Sequence, residues 1–320
     1  MSKNITALMP VKNGASYVQS SLTQIQLACK ATDEIIIIDD FSDDDTAQIV
    51  KMAAKKDARI RLIKNSIPGI VGALNLGLSE ASNDWIARFD VDDRYEQSRI
   101  EEQRAFIKDN IIGIFSDYDF FSEDLPYLGT IPGAINPDAV AVSLISSQRT
   151  PHPSILFNKA SVFDVGGYQQ EDFPAEDLSL WLRMSRAGEM ISIPKVLLHY
   201  RISTESVTGT KRKAAISVKV KLLENIGINK RSIQKVLDNF EEIIGNYGEV
   251  NYSNEREILL VRDLIMILKN NNTESRVKKK IKSLILVYAI KNGTSDSKIK
   301  TILKLRREKN LRDKERKLVK

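Results

Sequence analysis

Four consecutive isoleucines, Ile35–Ile38, followed by Asp39-Asp40, constrain this chain most. β-Branched residues favour extended backbone, and a run with no polar alternation has no face to offer solvent. Such a strand has to be covered on both sides, the situation of a parallel sheet sandwiched by helices. The surrounding sequence supplies the partners. Ile5–Met9 reads as a first strand, stopped by Pro10, and Ser16–Cys29 as a helix with Ser16 as a candidate cap. Ser42–Lys56 reads as a helix with Ser42 at the N-cap and Asp43, Asp44 and Asp45 in its first turn. Arg59–Lys64 and Trp85–Phe89 are further strands, with a helix over Gly69–Ala81 between them. The rhythm predicts an α/β fold: a Rossmann-like, mostly parallel sheet with helices on both faces. Beyond Arg94 a helix to about Asn110 and a strand near Ile112–Asp117 are expected, then loop-rich sequence to Pro153. Glu176–Ala187 is a helix with Gly188 as its stop.

After about Thr210 the strand signals cease, and residues 211–226, 232–244, 254–269 and 273–291 have helical spacing. The charge changes there too. Residues 211–320 carry 28 Lys and Arg against 13 Asp and Glu, whereas residues 1–210 carry 20 against 29. The expected organisation is therefore a catalytic domain, 1–210, and a basic, helical C-terminal region, 211–320. Sparse aromatic residues in the basic region argue against nucleic acid, and no nucleic-acid partner is expected. Peripheral contact with an anionic membrane and simple packing on the first domain both remain open. A single cysteine, Cys29, excludes an intrachain disulfide framework. No apolar stretch approaches the length of a membrane span, and no signal peptide is visible, so a cytoplasmic location is expected, with or without contact at the inner membrane face.

Ligands of open parallel sheets bind beyond the carboxyl ends of the strands. Two acid clusters fall at such ends: Asp39-Asp40 and Asp90-Val91-Asp92-Asp93. Carboxylates packed this closely repel one another unless a cation or a donor-rich ligand lies among them. Hard oxygen ligands suit Mg²⁺ or Mn²⁺, which in turn bind phosphate. The alternative for each cluster is helix capping or a solvated turn. No glycine-rich phosphate loop of the dinucleotide or P-loop type is present. A third acid pair, Glu176-Asp177, opens a helix, where the backbone dipole favours a carboxylate that could act as a base.

These residues resemble the family 2 glycosyltransferases of the GT-A type. The resemblance is carried by Met9-Pro10-Val11-Lys12-Asn13, Ile38-Asp39-Asp40-Phe41-Ser42, Gly72–Leu78, Ala87–Asp93, His152-Pro153-Ser154, Gly166-Gly167-Tyr168 and Ala175–Arg183, in that order, over about residues 1–205. It implies a nucleotide-sugar donor, UDP-linked, a divalent Mn²⁺ or Mg²⁺ ion, and inversion at the anomeric carbon. A surface-glycan or lipid-linked glycan acceptor, as in bacterial polysaccharide biosynthesis, also follows from it. By position, Pro10, Val11, Lys12, Asn13 and Asp39 would hold the nucleoside. Asn75, Arg88 and Val91 would also line the donor, Asp90 would contact ribose or metal, and Asp92 would be the direct metal ligand. Asp177, rather than Glu176, would be the base, with His152, Trp181, Arg183 and Arg201 on the acceptor or diphosphate side. The chain departs from the family pattern at Lys12, where many members have an aromatic residue, at Leu74, where many have Arg, and at Ile202-Ser203, where a His often follows Tyr-Arg. The D-x-D also resembles that of haloacid dehalogenase phosphatases, but Arg94 stands where that motif ends in Thr or Val.

Overall fold

The computed structural model describes residues 3–122, 129–131, 133, 137, 140, 143–144, 150–202 and 211–225. The helices expected over 232–291 and the charged segment 298–320 lie outside the described residues.

The described chain runs β1 (Ile5–Val11), α1 (Ala15–Ala28), β2 (Glu34–Asp39), α2 (Thr46–Ala54), β3 (Ile60–Lys64), α3 (Ile70–Glu80), β4 (Trp85–Arg88), β5 (Arg94–Tyr95), α4 (Arg99–Arg104), β6 (Ile111–Phe121) and β7 (Gly129–Ile131). It continues with β8 (Leu156–Asn158), α5 (Lys159–Asp164), α6 (Glu176–Ala187), β9 (Glu189–Arg201) and α7 (Arg212–Asn225). One sheet takes all the described strands in the order β3-β2-β1-β4-β8-β6-β9-β5, with β7 added alongside β6. β1, β2, β3 and β4 pair in parallel, as do β6 and β9, while β8 joins the two groups antiparallel to both β4 and β6. The expected α/β architecture, a mostly parallel GT-A-type sheet covered on both faces, is the one observed.

The isoleucine run shows why. Each of Ile35–Ile38 is fully buried, and each contributes about 1.5–3 kcal/mol relative to exposure. Alternation sends Ile35 and Ile37 to one face, against Val18, Leu22 and Ile25 of α1 and Val50 of α2. Ile36 and Ile38 go to the other, with Val71, Leu74 and Leu78 of α3 and Leu178 and Trp181 of α6. Gly77 lets α3 approach the sheet, because a Cβ there would overlap the Leu8 side chain.

Four expected boundaries move. α2 begins at Thr46, and neither Ser42 nor the Asp43–Asp45 run makes its first turn. The Ser42 hydroxyl instead accepts from the Asn13 N–H at 3.0 Å, and Asp44 accepts from the Ala15 N–H at 2.9 Å and the Thr46 N–H at 3.0 Å. These side chains tie the end of β1 and the open N-terminus of α1, whose cap is Gly14 rather than Ser16. The helix expected to reach Asn110 ends at Arg104, and the strand after it extends to Phe121, beyond the expected Asp117.

Candidate active site

The carboxyl ends of β1, β2 and β4 lie side by side, and the acid clusters meet there. β1 ends in buried Pro10 and Val11, and the Val11 carbonyl accepts from the Asp40 N–H at 2.8 Å. Exposed Lys12 and Asn13 follow, and the Asn13 side chain accepts from the Asp43 N–H at 3.0 Å. Asp39 closes β2 with 6% exposure and accepts from the Ser42 N–H at 3.3 Å. The neighbouring Asp40 braces backbone instead, its carboxylate accepting from the Gly69 N–H at 2.9 Å and the Asn65 amide at 2.8 Å. It thereby holds the loop that opens α3, where Gly69 turns at a φ of 110°. Among the described residues, two non-glycine residues adopt left-handed backbone angles, Asn13 (φ 51°) and Phe41 (φ 60°), and both lie in these strand-end loops. Strained backbone of this kind concentrates at ligand sites.

The second cluster hangs from β4. Arg88, the last residue of that strand, is 3% exposed and meets Asp90 at 2.5 Å. Burial works against its charge, but Asp90 outweighs it and the guanidinium pKa is raised. The turn after it is latched from behind. The Tyr95 hydroxyl accepts from the Asp90 N–H at 2.6 Å, and Arg99, fully buried, donates to the Arg88 carbonyl at 2.8 Å while its guanidinium lies 4.3 Å over the Phe89 ring. Val91 packs close to Gly14, and its carbonyl accepts from the Ser21 hydroxyl. Asp93 is buried at 4% and accepts from the Arg201 N–H at 2.8 Å. Burial, then Asp90 and Asp92, push its pKa well above the ordinary carboxylate value. Burial and the Asp90 charge also raise Asp92. Arg201 additionally stacks 4.4 Å over the Tyr17 ring.

Asp90 and Asp92 remain part-exposed. Two hard carboxylates whose charges oppose one another fit Mg²⁺ or Mn²⁺. Among the described residues no group of three or more His, Cys, Asp or Glu is placed to hold a metal.

The third pair sits at the start of α6. That helix leads into β9 through Gly188 alone, so it runs back along the sheet from the edge where β1, β2 and β4 end. Glu176 is 9% exposed; burial, then the Asp177 charge, raise its pKa to about 7. Asp177 is more accessible. Burial raises its pKa as well, but the Leu178 N–H donates to it at 2.6 Å, and Arg88 and Lys219 favour its anion. Both carboxyls of the pair are therefore raised, Glu176 to about 7 and Asp177 in the same direction, with the Leu178 N–H, Arg88 and Lys219 working against the shift of Asp177. Arg88 connects the parts, since its field acts on Asp90, Asp92, Glu176, Asp177 and His152 alike.

Glu176 also gives a pH signature. The folded protein keeps its proton to about pH 7, whereas the ordinary value is 4.5. The stability of the neutral form is fully present below about pH 4.5 and is lost as pH rises through 7. Glu176→Gln should therefore gain thermal stability over wild type progressively between those limits. A constant offset in melting temperature across that range would show that Glu176 ionises normally.

Other expected residues land elsewhere. His152 Nε2 lies 2.7 Å from the Tyr168 hydroxyl, and burial, then the Arg88 charge, hold its pKa well below 6.5, so it is neutral. Trp181 is fully buried, edge-on to Phe115 at 5.5 Å and to His152 at 5.7 Å, and belongs to the core. Arg183 donates to the Gly167 carbonyl at 2.8 Å and to that of Val165, and so braces the Gly166-Gly167 turn. Asn75 pairs both ends of its amide with the backbone of Tyr168, at 2.9 and 3.1 Å. His199 makes a strand-edge bridge to Asp119 at 2.7 Å and Glu96 at 3.0 Å. The latch residues Tyr95 and Arg99, and Lys219, carry no signal in the sequence, because each acts through contacts set by the fold.

Residues 6–128 match the family model described as Glycosyl transferase family 2. This stretch of the chain is similar to the glycosyltransferase family 2 domain. An uncharacterized glycosyltransferase of Rickettsia felis is 26% identical over 200 residues, 62% of this chain but 33% of its own length. The chain thus spans about a third of the rickettsial relatives it matches. A UDP-Gal:alpha-D-GlcNAc-diphosphoundecaprenol beta-1,3-galactosyltransferase of Escherichia coli is 29% identical over 217 residues, 64% of this chain and 75% of that protein. Among solved structures, S. aureus TarS 1-349 in complex with UDP-GlcNAc superposes with a TM-score of 0.58 at 15% identity, covering 86% of this chain and 82% of TarS. The mannosyltransferase PcManGT from Pyrobaculum calidifontis, in complex with GDP-Man and Mn²⁺, gives 0.51 at 13% identity, covering 92% and 88%. At such identities the structures establish the fold alone.

Proposed function

We propose that the protein transfers a sugar from a UDP-sugar to a hydroxyl of a surface-glycan or lipid-linked glycan acceptor, inverting the anomeric carbon. The observation that carries this reading is the common field of Arg88, which joins the D-x-D carboxylates to the acid pair of α6 in one site. The name of the E. coli relative, a galactosyltransferase acting on a diphosphoundecaprenol-linked sugar, supports the donor and acceptor classes.

In this reading Pro10–Asn13 and Asp39 receive the nucleoside, with Asp39 accepting from the base. Asp92, with Asp90, would hold the Mg²⁺ or Mn²⁺ ion, which when bound neutralises the diphosphate leaving group. Arg88 keeps Asp90 oriented through their 2.5 Å contact. On the opposite side Asp177 takes the proton of the acceptor hydroxyl as its oxygen attacks the anomeric carbon, and the bond from that carbon to the diphosphate breaks. Neutral His152 and Tyr168 close the wall near the acids. Screening UDP-, GDP- and dTDP-sugars for metal-dependent hydrolysis and thermal stabilisation tests the reading. The absence of any response to every donor would defeat it.

Asp39→Ala should weaken UDP binding while leaving turnover at saturating donor nearly unchanged, measurable by calorimetry beside steady-state kinetics. Equal UDP affinity in variant and wild type would place Asp39 outside the pocket.

We further assign 1–210 as the catalytic part and 211–320 as a basic part that contacts an anionic membrane, where each basic residue near the surface contributes about 1 kcal/mol. Among the described residues no helix is long and apolar enough to cross a membrane. Deleting residues 298–320 should weaken sedimentation with vesicles containing anionic lipid and leave activity on a soluble acceptor intact. Loss of the cooperative thermal transition on deletion would instead make the segment part of the fold.

A further inference from the structure

The strand that leaves the D-x-D turn is shorter than strands usually are and lies at the end of the sheet. Among the described strands β5 pairs with β9 only, Arg94 opposite His199 and Tyr95 opposite Leu198. The turn nevertheless depends on it, since the Tyr95 hydroxyl accepts from the Asp90 N–H at 2.6 Å. His199 supplies a fastening that so short a ladder lacks. It lies between Arg94 of β5 and its register partner Asp119 of β6. Its Nδ1 is 2.7 Å from the Asp119 carboxylate, and its Nε2 is 3.0 Å from the carboxylate of Glu96, the residue that follows β5. Carboxylates only accept hydrogen bonds, and a neutral imidazole has a single N–H, so a ring that meets two of them carries both protons. The other charged groups around this part of β9 have partners of their own. The Arg94 guanidinium lies 4.3 Å over the Phe121 ring, that of Arg201 lies 4.4 Å over the Tyr17 ring, and Lys195 pairs with Glu102 of α4 at 2.6 Å.

We propose that His199 is a positioning residue for donor binding, an imidazolium that clamps the exit of the D-x-D turn, through Glu96, onto β6 and releases it when the ring loses a proton. The effect on the donor rests on the glycosyl-transfer reading given above; the clamp stands on its own geometry. A neutral ring keeps one N–H and serves one carboxylate, leaving the other opposite a lone pair. The side chains of His199 and Glu96 are 29% and 51% exposed, so the proton exchanges freely with solvent. The Asp119 hydrogen bond, joined by that of Glu96, outweighs partial burial and raises the His199 pKa from 6.5. With the folded value raised, the clamp is complete below about pH 6.5 and is lost as pH rises through the folded value. Carboxylate ligands work in the opposite sense, since their ionisation strengthens metal binding as pH rises.

The test uses the full-length chain, whose two histidines, His152 and His199, give two ring signals by NMR that His199→Gln assigns. His199 should titrate above 6.5 in wild type and move toward that value in Glu96→Gln and in Asp119→Asn. A wild-type midpoint at or below 6.5 overturns the clamp. UDP affinity in saturating Mn²⁺ should weaken about threefold as pH rises through this titration, the size of effect a part-exposed ion pair produces. His199→Gln should bind at the weaker level throughout. His199→Arg, permanently charged and able to reach both carboxylates, should hold the tighter level. A fall that persists in His199→Gln, or an Arg variant as weak as the Gln variant, overturns the positioning role.

A second measurement needs no ligand. Amide hydrogen exchange over residues 90–96 should be severalfold faster in His199→Gln than in wild type or His199→Arg, because the turn and its exit strand open locally once the clamp is gone. Equal exchange in all three would overturn the proposal. If wild type binds no UDP in the presence of Mn²⁺, the glycosyl-transfer reading fails, and the titration and the exchange rates still decide whether His199 holds the turn.

Discussion

Replacing Asp177 with Asn should lower turnover by about 10²- to 10⁴-fold while UDP affinity stays close to wild type. The structure makes this substitution a clean one. Asn keeps the shape of the side chain and can still accept from the Leu178 N–H, 2.6 Å away, so α6 should begin as before. What disappears is a carboxylate able to take the acceptor proton. Glu176 cannot fully replace it, since it is buried, and with a pKa of about 7 it is only partly ionised at neutral pH. Steady-state kinetics with calorimetric UDP binding separates the two quantities. If Glu176→Gln lost more turnover than Asp177→Asn, the base would be Glu176.

The second large effect belongs to Asp92. Asp92→Asn should abolish transfer, a loss of about 10³-fold or more, and should remove the Mn²⁺-dependent part of UDP binding. A neutral amide is a poor ligand for a hard cation, and Asp90 alone already shares an oxygen with Arg88 at 2.5 Å. The same substitution also relieves repulsion in this turn, because the Asp90 charge raises the pKa of Asp92 and the Asp92 charge raises that of Asp93. The variant should therefore be at least as stable as wild type, which distinguishes a lost metal from a lost fold. Full activity in excess chelator, in wild type or variant, would end the metal-dependent mechanism.

The legible parts of this molecule were those whose cause is local. Ile35–Ile38 can only be a strand covered on both faces, and it is. Asp39 and the D-x-D fall at strand ends because apolar runs stop there, and the Glu176–Ala187 helix stops at Gly188 as its composition implies. The readings that shifted depended on distant partners. Ser42 has the chemistry of an N-cap, yet its hydroxyl serves the Asn13 N–H, 29 residues earlier in the chain. Asn75 and Arg183 have the chemistry of ligand-binding residues, yet both brace the backbone around Gly167 and Tyr168. Nothing in the order of residues says which of two available partners a polar side chain will reach.

The sequence by itself therefore determined the layered α/β class, the edge of the sheet where ligands bind, and the residue types gathered there, since hydrophobic periodicity and strand termini are properties of short segments. Only the tertiary structure decided how charge is divided among those residues. Arg88 became the centre of the site because the place of β4 between β1 and β8 buried it beside Asp90. Glu176 and Asp177 are both raised by burial, and only Asp177 meets the Leu178 N–H, which works against that shift. Burial and the distances between charges fix such preferences, and both arise only when segments far apart in the chain are packed together.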